Sequence, residues 1–196
     1  MGRAPQNRQF VTAALIATAV AAISAPAPAQ SAPLTLLGYN VIPPAAWTAR
    51  ATTSSMRLAQ FTAGSDAGSD AGSDAGSDAA SSAEVVVYFF GAGQGGGIDA
   101  NLDRWRDQFS SADSAPVNEK VTRDSSGAFP VTFAEYHGTY RRGIGMGSED
   151  SARAGQALVA AIVETPKGTL FIQLFGPDAK VAAERERFAK FVTGIR

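Results

Sequence analysis

The strongest hydrophobic pattern in the chain lies at residues 85–90, which read VVVYFF. Six consecutive β-branched or aromatic residues are typical of a strand that is buried on both faces. After a glycine-rich stretch, apolar residues recur at helical spacing at Ile98, Leu102, Trp105 and Phe109. The pattern therefore predicts a central strand followed by an amphipathic helix that packs back on the same sheet.

Three shorter extended segments precede this strand. Residues 34–47 predict a strand that stops at Pro43 and Pro44, because proline cannot donate to a sheet ladder and has a fixed φ. Trp47 begins a second short extended piece, and residues 55–62 form a third. An aromatic ring at a strand end can serve as a ligand platform, but we expect Trp47 to be a core residue.

Four further strands are predicted after the helix, at residues 117–123, 129–140, 157–165 and 169–175. The last two predict a hairpin, because the connecting Thr165-Pro166-Lys167-Gly168 has proline and glycine where a type I turn prefers them.

A final helix follows, with Asp178 as its expected cap and Glu186 and Lys190 as an outward ion pair. Its inward side chains are expected to be Val181, Phe188, Phe191, Val192 and Ile195. Strands in runs, without one helix for each strand, indicate an α+β fold with a mainly antiparallel sheet and two packed helices.

The first 29 residues have the pattern of a secretory signal peptide. Arg3 and Arg8 precede an uncharged apolar run at residues 10–23, and Ala27-Pro28-Ala29 supplies small residues before a predicted cleavage at Gln30. The apolar run is short for a membrane span, and no later segment reaches 18 apolar residues. We therefore expect residues 30–196 to form one exported soluble domain, periplasmic or secreted.

Residues 64–79 are four copies of Gly-Ser-Asp-Ala, which we expect to form a flexible loop inserted between two antiparallel strands. Their four aspartates suggest calcium, but the spacing matches neither an EF-hand nor a nine-residue β-roll. The interpretation is an acidic insertion without a structural metal.

Composition excludes several classes of function. There is no cysteine, which rules out disulfides, thiolate catalysis and cysteine zinc sites, and there is one histidine, His137. The chain has 17 basic and 18 acidic side chains, and loss of residues 1–29 removes only Arg3 and Arg8. The exported part is then slightly acidic, so no nucleic-acid partner is expected, and neither a metal nor a cofactor is indicated.

The glycines after the central strand match G-x-G-x-x-G at Gly91, Gly93 and Gly96. The segment that follows the helix is polar, whereas a dinucleotide-binding unit needs a second buried parallel strand with a ribose-binding acid. Asp99 also places a carboxylate where a phosphate would bind the helix N-terminus. A structural loop with positive φ angles is therefore favoured over a nucleotide site.

Two other positions could carry chemistry. Glu135 and His137 should share one side of a strand, where they could act as an acid and a base, although a polar cross-strand cluster is the favoured interpretation. Arg141 and Arg142, at the exit of this strand, are candidate contacts for a small anionic ligand, unless the acids at 149 and 150 pair with them. No G-x-S-x-G motif of a serine hydrolase occurs.

The opening GYNVIPPAAW at residues 38–47 resembles the start of the PsbP-like fold family, which includes bacterial DcrB-like envelope proteins. The resemblance extends over residues 34–196 and implies an α/β/α sandwich in an exported bacterial branch of the family. It carries over no site residue. It implies a non-enzymatic binding or assembly role with a protein partner or a small ligand. The alternative is an envelope hydrolase or transferase that uses Glu135 and His137.

Overall fold

The computed structural model describes residues 31–52, 54–64, 82–111, 115–141 and 152–196. Its helices are α1 (Ile98–Arg106) and α2 (Asp178–Thr193). Its strands are β1 (Leu34–Leu36), β2 (Tyr39–Val41), β3 (Thr48–Arg50), β4 (Arg57–Ala63), β5 (Ala83–Tyr88), β6 (Phe109–Ser110), β7 (Asn118–Asp124), β8 (Val131–Tyr140), β9 (Arg153–Thr165) and β10 (Gly168–Pro177).

In the described part of the chain, eight strands form one sheet in the order β3-β4-β5-β10-β9-β8-β6, with β7 also paired to β8. Every pairing in the described part of this sheet is antiparallel. The predicted neighbours β4 and β5 pair directly, and Gly168 pairs with Thr165 across the predicted β9–β10 turn. Strand β3 is therefore one edge of the sheet, and β7 with β6 forms the other.

The sheet is covered by a helix on each face, as alternate residues of β9 demonstrate. Ala157, Val159, Ala161 and Val163 belong to a core shared with α2, whereas Leu158, Ala160 and Ile162 belong to a second core shared with α1. Successive strand residues point to opposite faces, so the two cores lie on opposite sides of one sheet. The predicted α+β sandwich with two packed helices is confirmed.

The central strand is buried as its sequence predicts. Val85 and Val87 face the α2 core, and Val86, on the other face, is also buried. Phe90 departs from the pattern, because it lies beyond the strand and is 38% exposed. Trp47 is buried against Phe61 and Phe191, which confirms its assignment to the core.

The first predicted strand is wrong in detail, because residues 34–41 form a hairpin. β1 and β2 pair antiparallel across a turn at Leu37 and Gly38, which have φ angles of 52° and 83°. The turn is held by Lys167, whose Nζ donates to the Leu37 carbonyl at 2.9 Å. Beyond the turn, Asn40 and Arg196 exchange two backbone hydrogen bonds, which attach the hairpin to the segment after α2.

Helix α1 is shorter than its apolar spacing predicts. It ends at Arg106, and Phe109 lies in β6 and pairs with Tyr140. Phe109 is nevertheless buried in the same core as Leu102 and Trp105. The helical spacing of the apolar residues therefore identified the core residues correctly, although Phe109 reaches the core from β6 and not from the helix.

All five side chains that the spacing predicts to face inward are buried, four of them on α2 and Ile195 just beyond its end. On its outer side Lys190 Nζ lies 3.0 Å from Glu186 Oε1, and this hydrogen bond lowers the pKa of the Glu186 carboxyl. The predicted cap is wrong, because the N-cap position is Pro177 and no side chain caps the helix. Asp178 makes a different contact, described below.

Two predicted segments, the signal peptide at 1–29 and nearly all of the GSDA repeat, lie outside the described residues. Among the residues that are described, no helix is both long enough and apolar enough to cross a membrane.

Candidate functional site

Glu135 and His137 lie on the same face of β8, as predicted, and both face α2. The Glu135 carboxylate forms an ion pair with Arg185 of α2. The Nδ1 of His137 lies 2.7 Å from the Asp178 carboxylate, also on α2. Each side chain therefore has its own partner on the helix, and together they attach β8 to α2.

A groove of about 330 Å³ lies between α2 and the β7–β8 edge, and Glu135 is part of its lining. The side chain of Glu135 is only 13% exposed, and that of Arg185 is 47% exposed. Phe133 and Phe188 supply apolar walls. His137 does not line this groove, so this groove does not bring the predicted acid and base together.

Arg141 is exposed just after β8, and its backbone N–H donates to the Gln108 carbonyl at 2.7 Å. Within the described ranges it has no acidic partner. Arg142, Glu149 and Asp150 lie outside the described residues, so an anion contact at this strand exit stays a prediction.

The glycine-rich loop has the structural role that was favoured. Gly91, Gly93, Gly95 and Gly96 all have positive φ angles. A Cβ on Gly95 would lie 2.5 Å from the Phe171 ring, so only glycine fits there. All strand pairs among the described residues are antiparallel, whereas dinucleotides bind at a crevice between parallel strands, which argues against a nucleotide site.

A partly buried polar network connects α1 to the β7 edge, and sequence reasoning missed it. Arg106 donates two hydrogen bonds to Glu119, at 2.8 and 3.0 Å. The Tyr136 hydroxyl lies 3.1 Å from Glu119 and 3.0 Å from the Leu102 carbonyl. The Arg106 hydrogen bond lowers the pKa of Glu119, and burial followed by the Glu119 contact raises the pKa of Tyr136. The network is satisfied internally, which indicates a structural role.

A second and larger groove, of about 480 Å³, lies beside the edge strand β3. We call it the β3 groove. One wall is the segment 31–34 with Pro43, and the other is the edge of the sheet. Its lining is mostly apolar: Ala32, Pro33, Leu34, Pro43, Trp47, Ala49, Leu58, Ala59 and Phe61, with Ser31, Arg50, Thr52 and Gln60 as polar members.

The indole of Trp47 is fixed in this groove by a buried carboxylate. Its Nε1 donates to Glu184 Oε2 at 2.8 Å, and Arg187 donates to the other oxygen of Glu184 at 2.8 Å. Glu184 is 3% exposed, yet both of its oxygens have partners. A buried carboxylate with two donors is a well-defined anchor, so one wall of the β3 groove is rigid.

The residues of β3 itself are exposed on both faces. Ala49 pairs with Phe61, whose side chain is in the α2 core, and it lines the groove. Arg50 pairs with Gln60, and its Nε donates to Thr62 Oγ1 at 2.8 Å. In the described part of the chain no acidic side chain pairs with Arg50.

Sequence reasoning identified Trp47 but not the groove beside it. The sequence offers one signal of a groove here, which is the small residue Ala49 between the much larger Trp47 and Arg50. The rest of the lining comes from residues 31–34 and from β4, which only the fold brings together. No group of three histidine or acidic side chains able to hold a metal ion occurs among the residues that the structure describes.

The fold defines a class of structure, the α+β sandwich of the PsbP type. It is similar to the solution structure of cyanobacterial PsbP (CyanoP) from Synechocystis sp. PCC 6803, with a TM-score of 0.50 and 8% sequence identity. That similarity covers 91% of this chain and 97% of the other. The predicted PsbP-like fold is therefore confirmed.

A crystal structure of PA94, a protein of unknown function from Pseudomonas aeruginosa, aligns with a TM-score of 0.39 and 15% identity over 83% of this chain and 93% of the other. This lower score adds nothing to the fold assignment. No protein-family model and no curated protein sequence matches the chain.

Proposed function

We propose that residues 30–196 form an exported, soluble and non-enzymatic binding or assembly domain of the cell envelope, and that the β3 groove is its binding site. The observation that carries the proposal is a mostly apolar groove of about 480 Å³ beside a sheet edge without a second partner strand in the described sheet. Concave apolar surfaces with a few fixed polar groups are the usual form of a binding site. The signal-peptide pattern at residues 1–29 supports export.

The arrangement of Glu135 and His137 favours binding over catalysis. A general acid or base must reach the proton that it transfers. Here the Glu135 carboxylate is paired with Arg185, and the His137 ring is paired with Asp178. The β3 groove contains no histidine and no acidic side chain in its lining. A hydrolase or transferase at Glu135 and His137 therefore has less support than a binding role.

Affinity capture from the envelope fraction of the source organism tests the proposal. The bait is the exported chain, compared with Ala49→Trp, which fills the β3 groove, and with Val121→Trp, which places the same ring at an exposed position on β7. We expect a partner that wild type and Val121→Trp retain and Ala49→Trp loses. Capture that is equal for all three, or no captured partner, would contradict binding at this groove.

A further inference from the structure

Strand β3 offers a backbone edge in addition to its groove. Among the described residues it pairs with β4 on one side only, and Thr48, Ala49 and Arg50 are all exposed. A sheet edge without a neighbour presents N–H and C=O groups that an added strand can pair with. Resting on the proposed function, we propose that the ligand of this site is an extended segment of a partner protein, added to β3 as a further strand.

The side-chain chemistry of such a segment follows from the alternation along β3. A residue of the added strand beside Ala49 points to the α2 face, and there it enters the groove next to Trp47 and Phe61. Ala49 is too small to fill that space itself. The partner residue at this position is therefore apolar and large.

The neighbouring position of the partner faces Arg50. Directly opposite residues on adjacent strands point to the same face, and opposite charges there stabilise the pair. Arg50 has a hydroxyl partner in Thr62 but no acid within the described ranges, and its guanidinium is exposed. The partner segment therefore alternates apolar and acidic residues.

A second copy of the chain is a poorer occupant than a different protein. Pairing β3 with β3 would set Thr-Ala-Arg against Thr-Ala-Arg, which brings no acid to Arg50 and only another alanine to the groove. A small anion would pair with Arg50 but would leave the apolar lining empty. An extended segment with acidic and apolar residues would pair with the backbone edge of β3, fill the β3 groove and place a negative charge beside Arg50.

The test uses labelled octapeptides and fluorescence polarisation with the exported chain. One peptide alternates leucine with aspartate, and the second has lysine in place of aspartate. Two further versions of the aspartate peptide are N-methylated at alternate amides, so that one set of methyl groups faces β3 and the other faces solvent. We expect the aspartate peptide to bind roughly fivefold more tightly than the lysine peptide.

Strand addition also predicts that only one of the two methylated peptides loses binding, because only one set of amides pairs with β3. Ala49→Trp should abolish binding of the aspartate peptide, and Val121→Trp should leave its binding unchanged. Arg50→Glu should reverse the preference, so that the lysine peptide binds more tightly than the aspartate peptide. Ala49 and Arg50 are exposed, and circular dichroism checks that each variant is folded.

Equal binding of the aspartate and lysine peptides, equal effects of the two methylation patterns, or no binding of any peptide would overturn strand addition. These failures are separable from failure of the proposed function. If Ala49→Trp still abolishes capture of an envelope partner, the groove is the binding site, and only the extended form of its ligand is wrong.

Discussion

The two edges of the sheet are built differently. β3 is three residues long, has Ala49 at its centre and borders an apolar groove. β7 is seven residues long and carries charged side chains on both faces, at Glu119, Lys120, Arg123 and Asp124. Charged side chains are a common way to prevent an edge from pairing with other chains, and shortness is another.

The charged side chains of the two edges also have different partners. At β7 the charge is used inside the protein, since Glu119 joins Arg106 and Tyr136 in the network that attaches α1. At β3 Arg50 has no acidic partner in the described part of the chain. The β7 edge therefore uses Glu119 in an internal contact, whereas the β3 edge has an arginine without an acidic partner in the described residues and borders a groove.

The largest expected effect of a substitution at either edge is that of Trp47→Ala. It removes a buried ring that packs against Phe61 and Phe191, and it leaves Glu184 without the indole donor. Loss of a large buried aromatic costs about 3–5 kcal/mol of unfolding free energy. Urea denaturation measures the unfolding free energy of the variant, and Trp47→Phe, which keeps an aromatic ring, is a control that should lose less. A loss below about 1 kcal/mol would mean that Trp47 is not part of the core.

Glu119→Gln should have an intermediate effect that depends on pH. The folded state lowers the pKa of Glu119, so the charged form stabilises the fold above the unfolded pKa of about 4.3, and this contribution is lost as pH falls through the folded pKa. At pH 7 the variant should lose about 1 kcal/mol, because a charge-assisted hydrogen bond to a partly exposed Arg106 becomes a neutral one.

Urea midpoints of wild type and Glu119→Gln, measured from pH 7 down to pH 3, test this dependence. The difference between them should begin to shrink as the pH falls below about 4.3, where the carboxyl of the unfolded chain is protonated, and it should be lost once the pH passes the lowered pKa of the folded state. A difference that stays constant over this range would show that the carboxylate charge does not stabilise the β7 edge.

Val121→Thr should have the smallest effect. Val121 is 42% exposed on β7, and threonine keeps the β-branched shape that suits a strand. The unfolding free energy should change by no more than about 0.5 kcal/mol, as for most surface substitutions. A larger loss in thermal or urea unfolding would mean that Val121 is covered in solution and that the β7 edge is occupied.

The sequence predicts the parts of the fold whose pattern is local. The valines of β5, the β9–β10 hairpin and the inward side of α2 have regular spacing and follow it in the structure. The β1–β2 hairpin was missed because its turn uses Leu37 at positive φ, which leucine rarely adopts. The end of α1 was missed because Phe109 continues the apolar spacing from within a strand.

The candidate site depends on contacts that no local pattern contains. Trp47 and Glu184 are 137 positions apart, and only the packing of α2 on the sheet brings them together. The shared face of Glu135 and His137 follows from strand alternation, but their separate partners come from α2. Residue types can therefore suggest an acid and a base, while the three-dimensional contacts decide whether they are available.

The backbone exchange between Asn40 and Arg196 has a consequence for the order of folding. The β1–β2 hairpin completes its hydrogen bonds only with a segment that is synthesised after α2. Contacts of such large sequence separation form late and slow the folding of a domain. A chain without residue 196 cannot form these two hydrogen bonds, so the hairpin that carries Leu34 would lack this attachment to the segment after α2.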